Sequence, residues 1–125
     1  MRLAVIILTH NEERHIEDCI KSAAFADEIL VIDDMSADRT VELACAAGAR
    51  VVEHALAGDF AAQRNFALTQ TEADWVFYVD ADERVNAGAE EELRRVMAED
   101  ARAVYAIERI NVVFGRRMYH GGHRP

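Results

Sequence analysis

The chain has 125 residues, 51% of them hydrophobic and 30% charged. That is one domain of globular composition, long enough to bury roughly two-thirds of its unfolded surface. The longest apolar run, Leu3 to Leu8, falls far short of the ~20 residues that span a bilayer. The polar Thr9, His10, Asn11 and Glu12 that follow it make no signal-peptide cleavage site. A soluble, unexported, cytoplasmic domain is expected. A net charge of −9 leaves no counterion-release term to favour nucleic acid, which is excluded as a partner.

Leu3–Leu8 is a β-branched apolar run, the pattern of a strand buried on both faces. Ile16, Cys19, Ile20 and Ala23 then recur at helical spacing. Glu28–Ile32 reads as a second buried strand, ending at Asp33. Asp38 is placed to cap a helix with an apolar stripe of Val41, Ala44 and Cys45, and Gly48 falls where a left-handed residue ends it. Arg50–Glu53 is a short third strand. Asp59 is the next N-cap, with Phe60, Ala67 and Leu68 expected inside. Trp75–Val79 is a fourth buried strand, with Trp75 and Phe77 in the core and Asp80 at its end. Asn86 caps a helix whose inward face is Ala89, Leu93, Val96 and Met97. Ala103–Ile110 reads as one more strand.

This alternation calls for a three-layer α/β/α fold, a mostly parallel Rossmann-like sheet with helices on both faces. Cys19 and Cys45 match no metal-ligand spacing and are expected as buried, reduced thiols. His10, His15 and His54 show no ligand spacing either, and surface or packing roles are expected for them.

In an open parallel sheet, ligands bind beyond the carboxyl ends of the strands. Three polar clusters fall there: Thr9-His10-Asn11-Glu12, Asp33-Asp34-Met35-Ser36 and Asp80-Ala81-Asp82-Glu83. At least four carboxylates therefore converge on one rim, which implies a bound cation or shifted pKa values. None of the six glycines builds a phosphate-cradling loop. Asp-x-Asp after a buried strand suits a hard divalent ion, Mg²⁺ or Mn²⁺, whose shell phosphate oxygens and water complete. A phosphorylatable receiver domain also gathers carboxylates at strand ends, but it needs a lysine after a late strand. The one lysine, Lys21, lies in the first helix.

Thr9-His10-Asn11-Glu12 resembles the opening turn of glycosyltransferase family 2, the inverting enzymes of GT-A fold. Val31–Thr40 resembles that family's V-D-D-G-S-x-D-x-T segment, with Met35 where glycine is usual. Gln63-Arg64-Asn65-Phe66-Ala67-Leu68 resembles its A-R-N-x-A helix, and Asp80-Ala81-Asp82-Glu83 resembles its DxD metal motif. Tyr119–Pro125 resembles the H-G-G-x-x-P stretch of a bacterial subgroup similar to lipopolysaccharide core glucosyltransferases.

The resemblance implies nucleotide contacts at Thr9, Asn11, Glu12, Asp33, Asp34, Arg64 and Asp80. It implies a metal at Asp82 and Asp80, and donor-sugar or acceptor contacts at His120, Gly121 and Gly122. It implies transfer from a nucleotide-sugar, UDP-sugar for preference, to a glycan or lipid-linked acceptor in cell-surface glycan synthesis. Residues 1–125 are then expected to be the donor-binding part of a longer enzyme. The only carboxylate after Asp100 is Glu108, and no catalytic base is nominated. A core cut at Pro125 is expected to expose an apolar edge that favours a homodimer. Five arginines after residue 101 hint at an anionic acceptor or peripheral contact with the inner face of the membrane. A non-catalytic nucleotide-binding module is the alternative from another class. A nucleotidyltransferase is a third, and turnover of UDP-sugar or release of pyrophosphate from a nucleoside triphosphate separates the three.

Overall fold

The computed structural model describes residues 2–98 and the backbone of two later strands. Its elements run β1 (Leu3–Thr9), α1 (Ile16–Ser22), β2 (Glu28–Asp33), α2 (Thr40–Ala46) and β3 (Arg50–Glu53). They continue with α3 (Phe60–Leu68), β4 (Trp75–Asp80), α4 (Ala87–Ala98), β5 (Tyr105–Ile107) and β6 (Ile110–Phe114). The sheet order is β3-β2-β1-β4-β6-β5. The first four of these strands in sheet order are parallel, and β6 joins β4 antiparallel.

Between their polar ends the central strands carry apolar residues throughout, because both faces of the sheet are covered. Leu3, Val5 and Ile7 share one face with Val31, Trp75, Phe77 and Val79. There they meet Ile16, Cys19 and Ile20 of α1, Ala44 of α2, and Ala89, Leu93 and Val96 of α4. Ile6, Leu30, Ile32, Val76 and Tyr78 point the other way, onto Ala67 and Leu68 of α3. Burial of each large aliphatic chain contributes about 1.5–3 kcal/mol. Three layers result, as the alternation of elements requires.

Four details differ from the sequence reading. The run read as one strand, Ala103–Ile110, holds β5 and the start of β6, an antiparallel pair at the sheet edge. Phe60 is 59% exposed rather than inside, while Gln63, Ala67 and Leu68 are buried. Helical spacing marks a face but not its partner: Ala67, Leu68 and Phe66 join the cluster on this side of the sheet, and Phe60 does not. Asp38 lies two residues before α2, where its carboxylate accepts from the Thr40 N–H at 2.9 Å. It thus closes an Asx turn instead of sitting at the N-cap itself. Asp59, by contrast, is the N-cap of α3 and accepts from Ala62 N–H at 3.0 Å.

The fourth difference is Cys45, expected inside but exposed; Cys19 is buried as expected, and both are free thiols. Cys45 faces outward because α2 turns Leu43, Ala44 and Ala47 toward the core. Burial pushes the Cys19 thiol from 9.0 up to about 12, against a smaller opposing pull from Arg84. One thiol per chain should therefore react with Ellman's reagent at pH 8 at once, and the second only after denaturant is added. Prompt reaction of both would contradict this packing.

Candidate functional site

The direction of chain progression reverses across β1. Strands β2 and β3 build outward on one side, and β4 lies on the other. This is the switch point at which an open α/β sheet leaves a crevice beyond its carboxyl ends. Register brings the ends level, with Thr9 beside Asp33 and Leu8 beside Asp80. Residues distant in sequence thereby meet on one rim.

The two loops leaving β1 and β2 are laced together. Asp33 is wholly buried, and its carboxylate accepts from Thr9 Oγ1 at 2.6 Å, Ser36 N–H at 2.8 Å and Ser36 Oγ at 2.6 Å. Asn11 Oδ1 accepts from Ala37 N–H at 2.7 Å, and Asn11 N–H donates to Ser36 Oγ at 2.8 Å. Glu12 N–H donates to the Thr40 hydroxyl at 2.8 Å, and Glu13 N–H to Asp38 Oδ2 at 3.2 Å. These bonds hold backbone donors that no helix or strand would satisfy. Asn11 (φ 55°) and Met35 (φ 49°) both adopt the left-handed conformation. That backbone shape explains why glycine suits the Met35 position in the resembling segment, since a side chain there costs about 1 kcal/mol.

Asp34 faces the other way from Asp33. Its Oδ1 accepts from Leu56 N–H at 2.9 Å, tying the loop after β3 to the end of β2. His10 Nδ1 sits 2.6 Å from the Asp34 carbonyl oxygen and 3.7 Å from Oδ2. On the far side of β1, the turn Asp80-Ala81-Asp82-Glu83 is closed on itself. Asp80 N–H donates to Glu83 Oε1 at 2.9 Å, and Glu83 N–H to the Asp80 carbonyl at 2.9 Å. Ala81 is buried in the core between two exposed aspartates. The alternation aims both acidic side chains away from the core and engages Glu83 with the backbone.

Helix α3 closes the third side. Buried Gln63 pairs its amide with His54, through Nδ1 at 2.8 Å and the carbonyl oxygen at 2.6 Å. The His54 ring stacks on Phe66 at 3.7 Å. Tyr78 Oη donates to the Arg64 carbonyl at 2.9 Å, and the Arg64 guanidinium lies 5.7 Å from the Tyr78 ring centroid. Burial raises the Tyr78 phenol, so it stays a neutral donor.

Between these walls lies a cleft of about 420 Å³, within the range of small-molecule sites. Thr9, Glu12, Asp34, Arg64, Asp80 and Asp82 line it. Four of those six are carboxylates, so the acidic convergence read from the sequence is present. Asp33 and Asn11 do not line it: the structure places them in the braces behind it. His10, Leu56, Phe60 and Gln63 do line it, and sequence reasoning passed them over. The signal for His10 was its place in the first polar cluster. His120, Gly121 and Gly122 lie outside the described residues. Among the described residues no three His, Cys, Asp or Glu side chains form a metal cage.

The sequence model of glycosyl transferase family 2 matches residues 4–124. The chain belongs to this family. It is 32% identical over 125 residues to an uncharacterized glycosyltransferase of Rickettsia bellii, covering 99% of this chain and 41% of that protein. It is 35% identical over 101 residues to the lipopolysaccharide core biosynthesis glycosyltransferase LpsC of Rhizobium meliloti, covering 77% of this chain and 37% of that one. Among solved structures, TarS 1–349 of S. aureus is similar with a TM-score of 0.69 and 28% identity, over 80% of this chain and 33% of that chain. Glucosyl-3-phosphoglycerate synthase from Mycobacterium tuberculosis, in complex with Mn²⁺, UDP and glucosyl-3-phosphoglycerate, is similar with a TM-score of 0.58 and 29% identity. That likeness covers 64% of this chain and 33% of that one. The fold is thus that of the GT-A glycosyltransferases. The chain spans about two-fifths of the length of its Rickettsia bellii relative.

Proposed function

We propose that this cleft binds the nucleoside diphosphate of a sugar donor, UDP-sugar for preference, as the donor half of a glycosyltransferase domain. One observation carries the reading: Asp34 and Arg64 share a single cleft at the switch point with the exposed pair Asp80 and Asp82. The synthase similar to this chain holds UDP and Mn²⁺, which supports it.

Two carboxylates on an open cleft fit Mg²⁺ or Mn²⁺, which take one or two carboxylates and fill the remaining positions with phosphate oxygens and water. Asp82 would hold the ion directly, with Asp80 beside it toward the ribose or a bound water. When bound, the cation would offset the charge that develops on the departing diphosphate. Asp34, half-buried and fixed by Leu56, presents Oδ2 to a base N–H. Thr9 and Glu12 border the base or ribose. Arg64 meets the base or the phosphates from α3. Asp33 and Asn11 act behind them, holding both loops in register so that little ordering remains to be done on binding.

In the whole protein, an acceptor hydroxyl would attack the anomeric carbon with inversion. The acceptor is a glycan or lipid-linked sugar, the LpsC likeness favours cell-surface glycan synthesis, and the proposed location is the cytoplasmic face of the membrane. The test is calorimetric titration of UDP into the protein with and without Mn²⁺. Micromolar-to-millimolar binding in Mn²⁺, and much weaker binding without it, is expected. Absence of binding to folded protein under both conditions would overturn the reading.

A further inference from the structure

Two large hydrophobic side chains are exposed among the described residues, Met35 at 56% and Phe60 at 59%. Only Phe60 lines the cleft. It is the first residue of α3, following a tight turn in which Ala57 (φ 54°) and Gly58 (φ 79°) are both left-handed. Asp59 N–H donates to the Leu56 carbonyl at 3.1 Å, and Asp59 caps the helix behind it. Leu56 is in turn anchored to Asp34. An exposed aromatic ring is thus held on the wall of the cleft by a hydrogen-bonded, left-handed turn.

The sheet order sorts the walls of the cleft. Of the acidic pair, Asp80 ends β4 and Asp82 follows it, on one side of β1. Asp34 and the Leu56–Phe60 turn follow β2 and β3, on the other. Ends of β2 and β4 lie two strand spacings apart, about 10 Å. If the diphosphate lies at the acidic pair with its cation, the nucleoside must reach the opposite wall. That wall offers one carboxylate acceptor and one exposed ring. A heterocyclic base has an in-plane edge for the first and a π-face for the second.

We infer that Phe60 is a base-binding residue of the donor site, stacking on the base of the bound nucleotide. The inference rests on the proposed function and goes beyond it by separating base recognition from phosphate recognition. Stacking on an aromatic side chain changes affinity by about 10-fold or more when the ring is removed. Phe60 is exposed, so its replacement leaves the core untouched.

The experiment titrates UDP and, separately, inorganic pyrophosphate, each with Mn²⁺, into wild type, Phe60→Ala, Phe60→Leu and Phe60→Trp. Phe60→Ala and Phe60→Leu should each weaken UDP binding by about 10-fold, with Phe60→Trp near wild type and pyrophosphate unchanged throughout. UDP affinity in Phe60→Ala equal to wild type would overturn the inference and leave the proposed function standing. So would Phe60→Leu equal to wild type, which reduces the ring to bulk, or equal losses for UDP and pyrophosphate, which make it structural. Wild-type protein that binds pyrophosphate but gains nothing from the uridine would overturn the inference as well. Wild-type protein that binds neither would overturn the donor-site reading itself.

Discussion

Asp82→Ala is expected to weaken Mn²⁺-dependent UDP binding by about 100-fold or more while leaving the melting temperature within a few degrees of wild type. Loss of residues that merely orient metal ligands costs 10- to 100-fold in affinity, and a direct ligand should cost at least that. Stability should hold because Asp82 is exposed and among the described residues its carboxylate makes no structural bond, and exposed substitutions usually stay within ±0.5 kcal/mol. The sign reverses without the metal. In chelator, Asp82 is one of four carboxylates lining the cleft with Glu12, Asp34 and Asp80, and each repels a diphosphate. Metal-free UDP binding, weak as it is, should therefore stay equal or improve in the variant. Calorimetry in Mn²⁺ and in EDTA checks both signs. Equal losses in the two buffers would mean that Asp82 shapes the cleft rather than holds a cation.

The adjacent aspartates Asp33 and Asp34 should show opposite phenotypes. Asp33→Ala removes a wholly buried carboxylate that accepts from Thr9 Oγ1, Ser36 N–H and Ser36 Oγ. Donors left unpaired cost about 1–3 kcal/mol each in burial, so three of them losing one shared acceptor should cost about 3 kcal/mol or more in all. For a domain of this size that lowers the melting temperature by 10 °C or more. Asp33→Asn keeps the shape but turns an amide NH₂ toward donors, so it should fall between. Asp34→Ala loses one bond, to Leu56 N–H, from a half-buried position. Its stability cost should be near 1 kcal/mol, with the loss appearing in UDP affinity instead. Urea denaturation of the three variants beside their titrations distinguishes the roles. Similar stability for Asp33→Ala and Asp34→Ala would contradict the bracing geometry.

That pair also shows how far the sequence could be read. The double aspartate after a buried strand announced a rim, and the strand-end rule located it on the right edge. Which aspartate turns inward depends on register, and register is a tertiary fact: Thr9 lies beside Asp33 only once β1 and β2 pair. The central strands were legible because a parallel sheet buried on both faces demands unbroken β-branched apolar runs. Helices α1 and α4 were legible from their spacing, and the start of α3 from Asp59. Phe60 was misread by the same periodicity, which reports a helix face but not what packs against it. Gln63 was passed over because a glutamine becomes a core residue only when its amide finds partners, here supplied by His54. The β5 and β6 pair gave no distinct signal, since no glycine, proline, asparagine or aspartate falls within Ala103–Ile110 to mark two strands. The acidic turn was recognised as a motif. Its internal bonds, which take Glu83 out of the cleft, follow from the fold alone.

One cleft at the switch between β1 and β4 is proposed to hold a nucleoside diphosphate with its cation. A crystal structure of the protein with UDP and Mn²⁺ tests it most directly. Anomalous density for the metal is expected in direct contact with the Asp82 carboxylate and the diphosphate. The uracil is expected on the opposite wall, within hydrogen-bonding distance of Asp34. A metal bound elsewhere, or UDP seated away from Asp34, Arg64 and the Asp80–Glu83 turn, would contradict the proposal.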